Sequence, residues 1–148
     1  MRIALGADHA GVVLKEAIKQ YLDSRGLAYQ DFGTHTADSV DYPDVALGVA
    51  RQVAAGTFER GVLVCGSGIG MAIAANKIAG IRAASVVDES SAVLSRAHNN
   101  VNVLALGARL TPADVAFRLI DAFLDTAFEG GRHQLRIDKL TSLDEGQI

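Results

Sequence analysis

The sequence predicts an α/β protein: a three-layer αβα sandwich around a five-stranded parallel sheet, formed by one domain over residues 1–148. Three observations carry that prediction. Five short apolar runs alternate with amphipathic helical stretches along the chain. One of these runs, Val62-Leu63-Val64-Cys65, passes into Gly66-Ser67-Gly68-Ile69-Gly70 and then into Ala-rich helical sequence, the strand–loop–helix order of a parallel unit. The 148 residues, 49% of them apolar, are enough for one domain with a substantial core.

The elements follow in order. Arg2 to Gly6 reads as the first strand, and Ala7-Asp8-His9-Ala10-Gly11 as a loop. Leu14, Ala17, Ile18, Tyr21 and Leu22 recur at helical spacing with charged residues opposite, and Gly26 closes that first helix. Leu27 to Phe32 is the second strand. Gly33 to Tyr42 is a polar loop, after which Pro43 suits a helix first turn and Asp44 to Ala55 continue it. Gly61 to Cys65 is the third strand and Gly70 to Ala79 the third helix. Ile81 to Val86 forms the fourth strand, and Asp88 is placed to cap a fourth helix that runs through Ala97. Asn102 to Leu106 is the fifth strand. Thr111-Pro112-Ala113-Asp114 combines a cap residue, a proline at the first helical position and an acid two residues on, opening a fifth helix to about Phe128. Gly130-Gly131 breaks the chain, and a final charged segment from Arg132 to about Leu143 has helical character.

Right-handed crossovers restrict the topology, and the flavodoxin/Rossmann-like order 2-1-3-4-5 is expected. Its switch point lies between strands one and three. Ligands bind there outside the strand carboxyl ends, which carry Asp8-His9 and Cys65 to Gly70. The fifth helix is apolar on two faces, Val115, Leu119, Ala122 and Phe123 on one and Phe117, Ile120, Leu124 and Phe128 on the other. Such a helix needs cover on both sides, and a second subunit is the expected cover for one of them.

Composition narrows the function. A net charge of −3 argues against a general nucleic-acid binder. A single cysteine excludes an intrachain disulfide and fits a reducing compartment. The N-terminus lacks a signal-peptide pattern, and no apolar run approaches the ~20 residues of a membrane span. A soluble cytoplasmic protein is expected. The four histidines are scattered without metal-ligand spacing, so no metal site is expected.

The glycine loop after Cys65 is the main candidate site. Glycines permit positive φ and close approach, and free backbone N–H groups there can hold an anion. The loop matches neither G-x-G-x-x-G nor the P-loop pattern, because Met71-Ala72 stand where Lys-Ser/Thr would be needed. A smaller oxyanion or carbonyl oxygen fits better. Cys65 reads either as a buried strand residue or as an accessible thiol at a place that favours sulfur ionisation. Ser67 either donates a hydroxyl hydrogen bond or stabilises the turn. Asp8 either caps the first helix or, with His9, forms a polar pair for sugar hydroxyls. His98-Asn99-Asn100, taken alone, reads as a helix terminus. Arg132 and Arg136 share one helical face, as a solvated basic end or as a fork for a phosphate, and Arg109 is a third cationic candidate.

In order along the chain, Gly6-Ala7-Asp8-His9-Ala10-Gly11, Asp41-Tyr42-Pro43, Cys65-Gly66-Ser67-Gly68-Ile69-Gly70, Ala74-Ala75-Asn76-Lys77, Ser95-Arg96-x-His98-Asn99, Asn102-Val103-Leu104 and Gly130-Gly131-Arg132-His133-x-x-Arg136 form a highly specific set. The set resembles the type B ribose-5-phosphate isomerase family, which includes galactose-6-phosphate and allose-6-phosphate isomerases, over nearly the whole chain. The resemblance implies interconversion of ribose 5-phosphate and ribulose 5-phosphate through a cis-enediolate, without a cofactor. It implies Cys65 as the base between C2 and C1, with Ser67 and the amides of Gly66, Gly68, Ile69 and Gly70 holding the oxyanion. It implies ring opening by His98, Asp8 and Tyr42 beside the sugar, and Asn99 on a substrate oxygen. His9, Arg109, Arg132 and Arg136 would gather the phosphate. It further implies a homodimer, or a dimer of dimers, with shared active sites, residues 132–148 packing on the partner. Some family members use a glutamate after the glycine loop as base. Met71 stands there in this chain and cannot take a proton. Allose 6-phosphate, galactose 6-phosphate or a four-carbon aldose phosphate are alternative substrates, and a non-catalytic sugar-phosphate or nucleotide sensor is the alternative from another class.

Overall fold

The computed structural model describes residues 1–146. Five strands, β1 (Arg2–Ala7), β2 (Ala28–Asp31), β3 (Arg60–Cys65), β4 (Ala83–Ser85) and β5 (Val103–Gly107), alternate with helices α1 (Val12–Ser24), α2 (Tyr42–Ala54), α3 (Ile69–Ala75), α4 (Glu89–Ala97) and α5 (Ala113–Asp125), and α6 (Arg132–Asp144) follows. All strand pairs are parallel. Alternate strand residues enter opposite layers, as the pleat requires. Leu5, Val62, Val64, Leu104 and Leu106 pack with α1, α4 and α5. Ala4, Leu63, Cys65, Val103 and Ala105 pack with α2 and α3. The predicted three-layer sandwich is therefore the observed one.

The strand order is β2-β1-β3-β5-β4, so the expected order 2-1-3-4-5 is corrected at its last two places. The five residues of β5 are all buried, whereas the three of β4 are half-exposed or exposed. The longer apolar strand takes the interior beside β3, and the short Ala-Ala-Ser strand takes the edge, where unpaired backbone groups are tolerated. β1 and β3 remain neighbours, so the expected switch point survives.

Local chemistry fixes the element ends. Leu14, Ile18 and Leu22 give α1 its buried stripe, and Gly26 follows it with φ +65°. Asp88 caps α4 by accepting the Ser91 N–H at 2.7 Å. Pro112, not Thr111, occupies the cap of α5, and the Thr111 hydroxyl is buried without a partner. The third helix stops at Ala75, short of the expected Ala79. The Asn76 side chain bonds both the N–H and the C=O of Ala83, which turns the chain toward β4. The fifth helix ends at Asp125, not near Phe128, and the Glu129 N–H bonds Ala97 O beyond it.

The expectation that α5 needs a second subunit for cover is also corrected. Its second apolar face is covered within the chain, with the Phe117 ring stacked on Tyr21 of α1 at 4.4 Å. Exposed apolar side chains lie elsewhere, among them Ile69 and Ile73 on α3, Val93 and Leu94 on α4, and Leu135, Leu140 and Leu143 on α6.

Candidate active site

The loop after β3 is held by backbone bonds from the loop after β5. Ala108 N–H donates to Cys65 O at 2.8 Å and Arg109 N–H to Gly66 O at 3.0 Å. The strands leave the sheet in contact, because a Cβ on Gly107 would stand 2.6 Å from the Ser67 carbonyl. Gly68 sits at the start of α3 with φ +79°, the left-handed region that glycine enters without strain. This turn aims the Gly68 N–H at Cys65 Sγ, 3.1 Å away.

Cys65, Ser67, Gly66, Gly70, Asp8, Tyr42 and Arg109 line one pocket of about 290 Å³, together with Leu110. An adjoining cleft of about 450 Å³ shares Asp8 and Tyr42 and adds His9, Ser39, Val40 and Asp41. Asp8 is buried at the end of β1, and its Oδ1 accepts the N–H groups of Ala10 and Gly11. It is thus a cap, and its Oδ2 is left for the pocket. His9 Nδ1 accepts the Val40 N–H at 3.2 Å, which places the proton of the neutral ring on Nε2. Ser67 Oγ accepts the Ile69 N–H at 3.2 Å, and its own hydrogen stays free to donate. The Tyr42 ring lies against Gly70, where a Cβ would come within 2.7 Å of it. The Arg109 guanidinium lies over Gly66 in the same manner.

One expectation changes here. Cys65 is only 5% exposed, so the thiol is not openly accessible but forms part of the pocket wall under the glycine loop.

Four of the expected residues lie elsewhere in the chain. In the β3–β5 register Cys65 faces Gly107 and Gly61 faces Val103. Cys65 is therefore at the carboxyl edge of the sheet, whereas His98 and Asn99 precede β5 at its amino edge. Asn99 lines a separate 440 Å³ cavity with Arg82, Ser95, Leu140 and Asp144. His98 stacks on His133 of α6, which brings Arg132 and Arg136 to this second edge. One chain thus carries two separated groups of candidate residues.

Several contributors escaped the sequence. Asn100 has φ +47°, and among the described residues it is the non-glycine residue in that region. Arg96 Nη1 bonds its Oδ1 at 2.9 Å, and Arg82 Nε bonds its carbonyl at 2.9 Å. These bonds fix the turn just after His98-Asn99. Arg96 is buried, and that burial, reinforced by Arg60 and Arg82, pushes its guanidinium down to about 10. Near Asp8, buried Lys15 pairs with Asp31 at 2.8 Å and donates to Thr34 O at 2.5 Å, anchoring the start of the loop that reaches His9. Burial pushes the Asp31 carboxyl upward, but Lys15, the Gly33 amide and Lys19 outweigh it and hold the group below the ordinary carboxylate range. Asn100 and Lys15 carried one faint signal each, an Asn that favours left-handed φ and a lysine at a core-facing helical position.

A parallel α/β sandwich with a thiol, a carboxylate and a glycine cradle at its strand ends is the frame of an α/β enzyme. The chain belongs to the ribose/galactose isomerase family, whose model matches residues 3–140. It is 45% identical to ribose-5-phosphate isomerase B of Escherichia coli over 144 residues, 97% of each chain. The structure matches that of ribose-5-phosphate isomerase B from Clostridium thermocellum with a TM-score of 0.97, 44% identity and complete coverage of both chains. It also matches the Mycoplasma genitalium ribose-5-phosphate isomerase B with bound ribulose-5-phosphate, with a TM-score of 0.94 and 40% identity over 97% of this chain and 96% of that one.

Proposed function

We propose that this protein is an aldose–ketose isomerase that interconverts ribose 5-phosphate and ribulose 5-phosphate. The observation that carries the reading is the position of Cys65 Sγ, on the wall of the strand-end pocket with the Gly68 N–H directed at it. As thiolate, Cys65 takes the proton from C2 of the open-chain aldose. The C2–H electron pair becomes the C1=C2 bond as the C1=O π pair moves onto O1, which becomes the oxyanion. The Ser67 hydroxyl and the amides of Gly66 and Gly70 are the donors for that charge, while the Gly68 amide is directed at the sulfur and the Ile69 amide at Ser67 Oγ, orienting that hydroxyl. Losing one such donor typically costs ~3 kcal/mol of barrier. Cys65 returns the proton to C1, while the hydroxyl proton moves from O2 to O1, giving the ketose. Only protons move, so no cofactor is needed. Asp8 Oδ2 and Tyr42 face the sugar.

His98, Asn99, Arg132 and Arg136 act in this reading from a partner subunit. His98 assists furanose opening, Asn99 binds a substrate oxygen, and the arginines join His9 and Arg109 on the phosphate, whose binding positions the reacting carbons. The separation of the two candidate groups within one chain supports a homodimer, or a dimer of dimers, with shared sites. The exposed leucines of α6 support a role for the C-terminal segment in that interface. Among the described residues no helix is long and apolar enough to cross a membrane. The free thiol fits a reducing compartment, and the cytoplasm is the proposed location.

The test is a panel of aldose phosphates ranked by kcat/KM with wild type and Cys65→Ala. Ribose 5-phosphate should rank first, and Cys65→Ala should bind it without isomerisation or solvent deuterium entry at C2. Undiminished turnover in the variant overturns the assigned base. The family description also covers galactose, so a six-carbon phosphate ranked first would keep the reaction and change the substrate.

A further inference from the structure

We propose that His98, Glu129 and His133 form a tridentate site for a divalent transition cation of the Zn²⁺ type. Their ligand atoms, His98 Nε2, Glu129 Oε2 and His133 Nε2, all lie within 4.8 Å of one another. Both Nε2 atoms lie near the same carboxylate oxygen, while the two imidazoles stack at 4.2 Å with planes 13° apart, so one ring must turn out of the stack for both in-plane lone pairs to reach one cation.

The spacing fits a shared metal better than direct bonds. His133 Nε2 and His98 Nε2 stand 3.4 Å and 3.9 Å from Glu129 Oε2. Both are beyond ordinary N–H···O length, and among the described residues neither imidazole makes a hydrogen bond. Two ligands on a tetrahedral zinc, each bound at about 2.0–2.1 Å, lie about 3.3 Å apart. The His133–Glu129 pair already has that separation. The His98–Glu129 pair is longer by roughly half an ångström, within reach of a rotation of the exposed glutamate. The backbone is held, because Glu129 N–H bonds Ala97 O at 3.0 Å and His133 N–H bonds Gly130 O at 3.0 Å. Two neutral imidazoles and one carboxylate leave a fourth position for water or substrate oxygen, and they favour zinc, nickel or copper over magnesium or calcium.

The site has a consequence that rests on the proposed function. A cation there engages the imidazole assigned to ring opening, so Zn²⁺ at this site inhibits the isomerase. Binding itself is independent of that assignment and is measured without turnover.

The experiment is titration of tag-free protein with Co²⁺, followed by its visible d–d absorption and then displaced by Zn²⁺. One Co²⁺ per chain is expected, with affinity falling at least ~10-fold in Glu129→Gln and in His133→Gln. A circular dichroism melt checks that both variants stay folded. Zn²⁺ should inhibit the wild-type enzyme reversibly on chelation and should inhibit Glu129→Gln only at correspondingly higher concentration. Absence of a saturable Co²⁺ spectrum, a spectrum unchanged in the folded Glu129→Gln variant, or a thiolate-to-cobalt charge-transfer band marking Cys65 as the ligand would each overturn the site. Saturable binding with no inhibition would leave the site standing and overturn only its link to His98 in catalysis.

Discussion

Gly107→Ala tests whether the oxyanion cradle is set by contact between two strand ends. A Cβ at Gly107 would meet the Ser67 carbonyl carbon and oxygen at 2.6 Å and its Cα at 2.8 Å. These are main-chain atoms, and ordinary contact begins at 3.4 Å. The loop must therefore shift by most of an ångström, since no flexible side chain can give way. Overpacking of this kind costs about 1–3 kcal/mol. At roughly 2–4 °C per kcal/mol for a domain near this size, Tm should fall by several degrees. A displacement of that size at the catalytic donors should lower kcat about 10²-fold. Gly48→Ala is the internal control. It lies inside α2 with nothing within 4 Å of the added carbon, so it should raise stability by up to about 1 kcal/mol and leave kcat alone. The assays are thermal melting and initial rates with ribose 5-phosphate. If Gly107→Ala keeps both Tm and kcat while Gly48→Ala behaves as expected, the close approach does not hold the cradle.

Three further outcomes follow from the structure. Mixing inactive Cys65→Ala and His98→Ala chains under subunit exchange should restore about one quarter of wild-type activity, because each hybrid dimer regains one intact site; no recovery despite demonstrated exchange refutes a shared site. Asp31 titrates below its ordinary value, so the stability it lends is complete above about pH 4 and is lost as pH falls through its lower folded value. Asp31→Asn should cost about 3–5 kcal/mol at pH 7 by stranding buried Lys15, and its urea midpoint should change less than wild type between pH 5 and pH 3; parallel acid limbs would refute the pairing. Burial, with the hydrogen bond to Asp121, raises the Tyr21 phenol to about 12. Its stabilising contribution is full below about pH 10 and lost as pH climbs through that value. Tyrosinate absorbance should show a late fraction that disappears in Tyr21→Phe, and an unchanged titration curve would contradict the contact.

By itself the sequence determined the layers and the position of the pocket. The alternation of apolar runs with helical periodicity leaves little choice of architecture, since each apolar face must be buried. The passage from Val64-Cys65 into three closely spaced glycines marks a strand end where backbone approaches backbone. Asp8 and Ser67 were legible beside it because a parallel sheet collects its strand exits at one edge, and Arg109 as a cation just after the fifth strand, whereas Tyr42 was named only through the family resemblance. Tertiary structure decided what depends on competition between distant segments. β5 displaced β4 from the interior because it buries more apolar surface, a comparison no local window contains. Tyr21 covered Phe117 and removed the need for a partner on α5. Glu129 and His133 are four residues apart, but His98 is distant from both and joined them only because α6 returns to the end of α4. Periodicity reports which face of an element is apolar; which neighbour covers that face is settled by the packing of the whole chain.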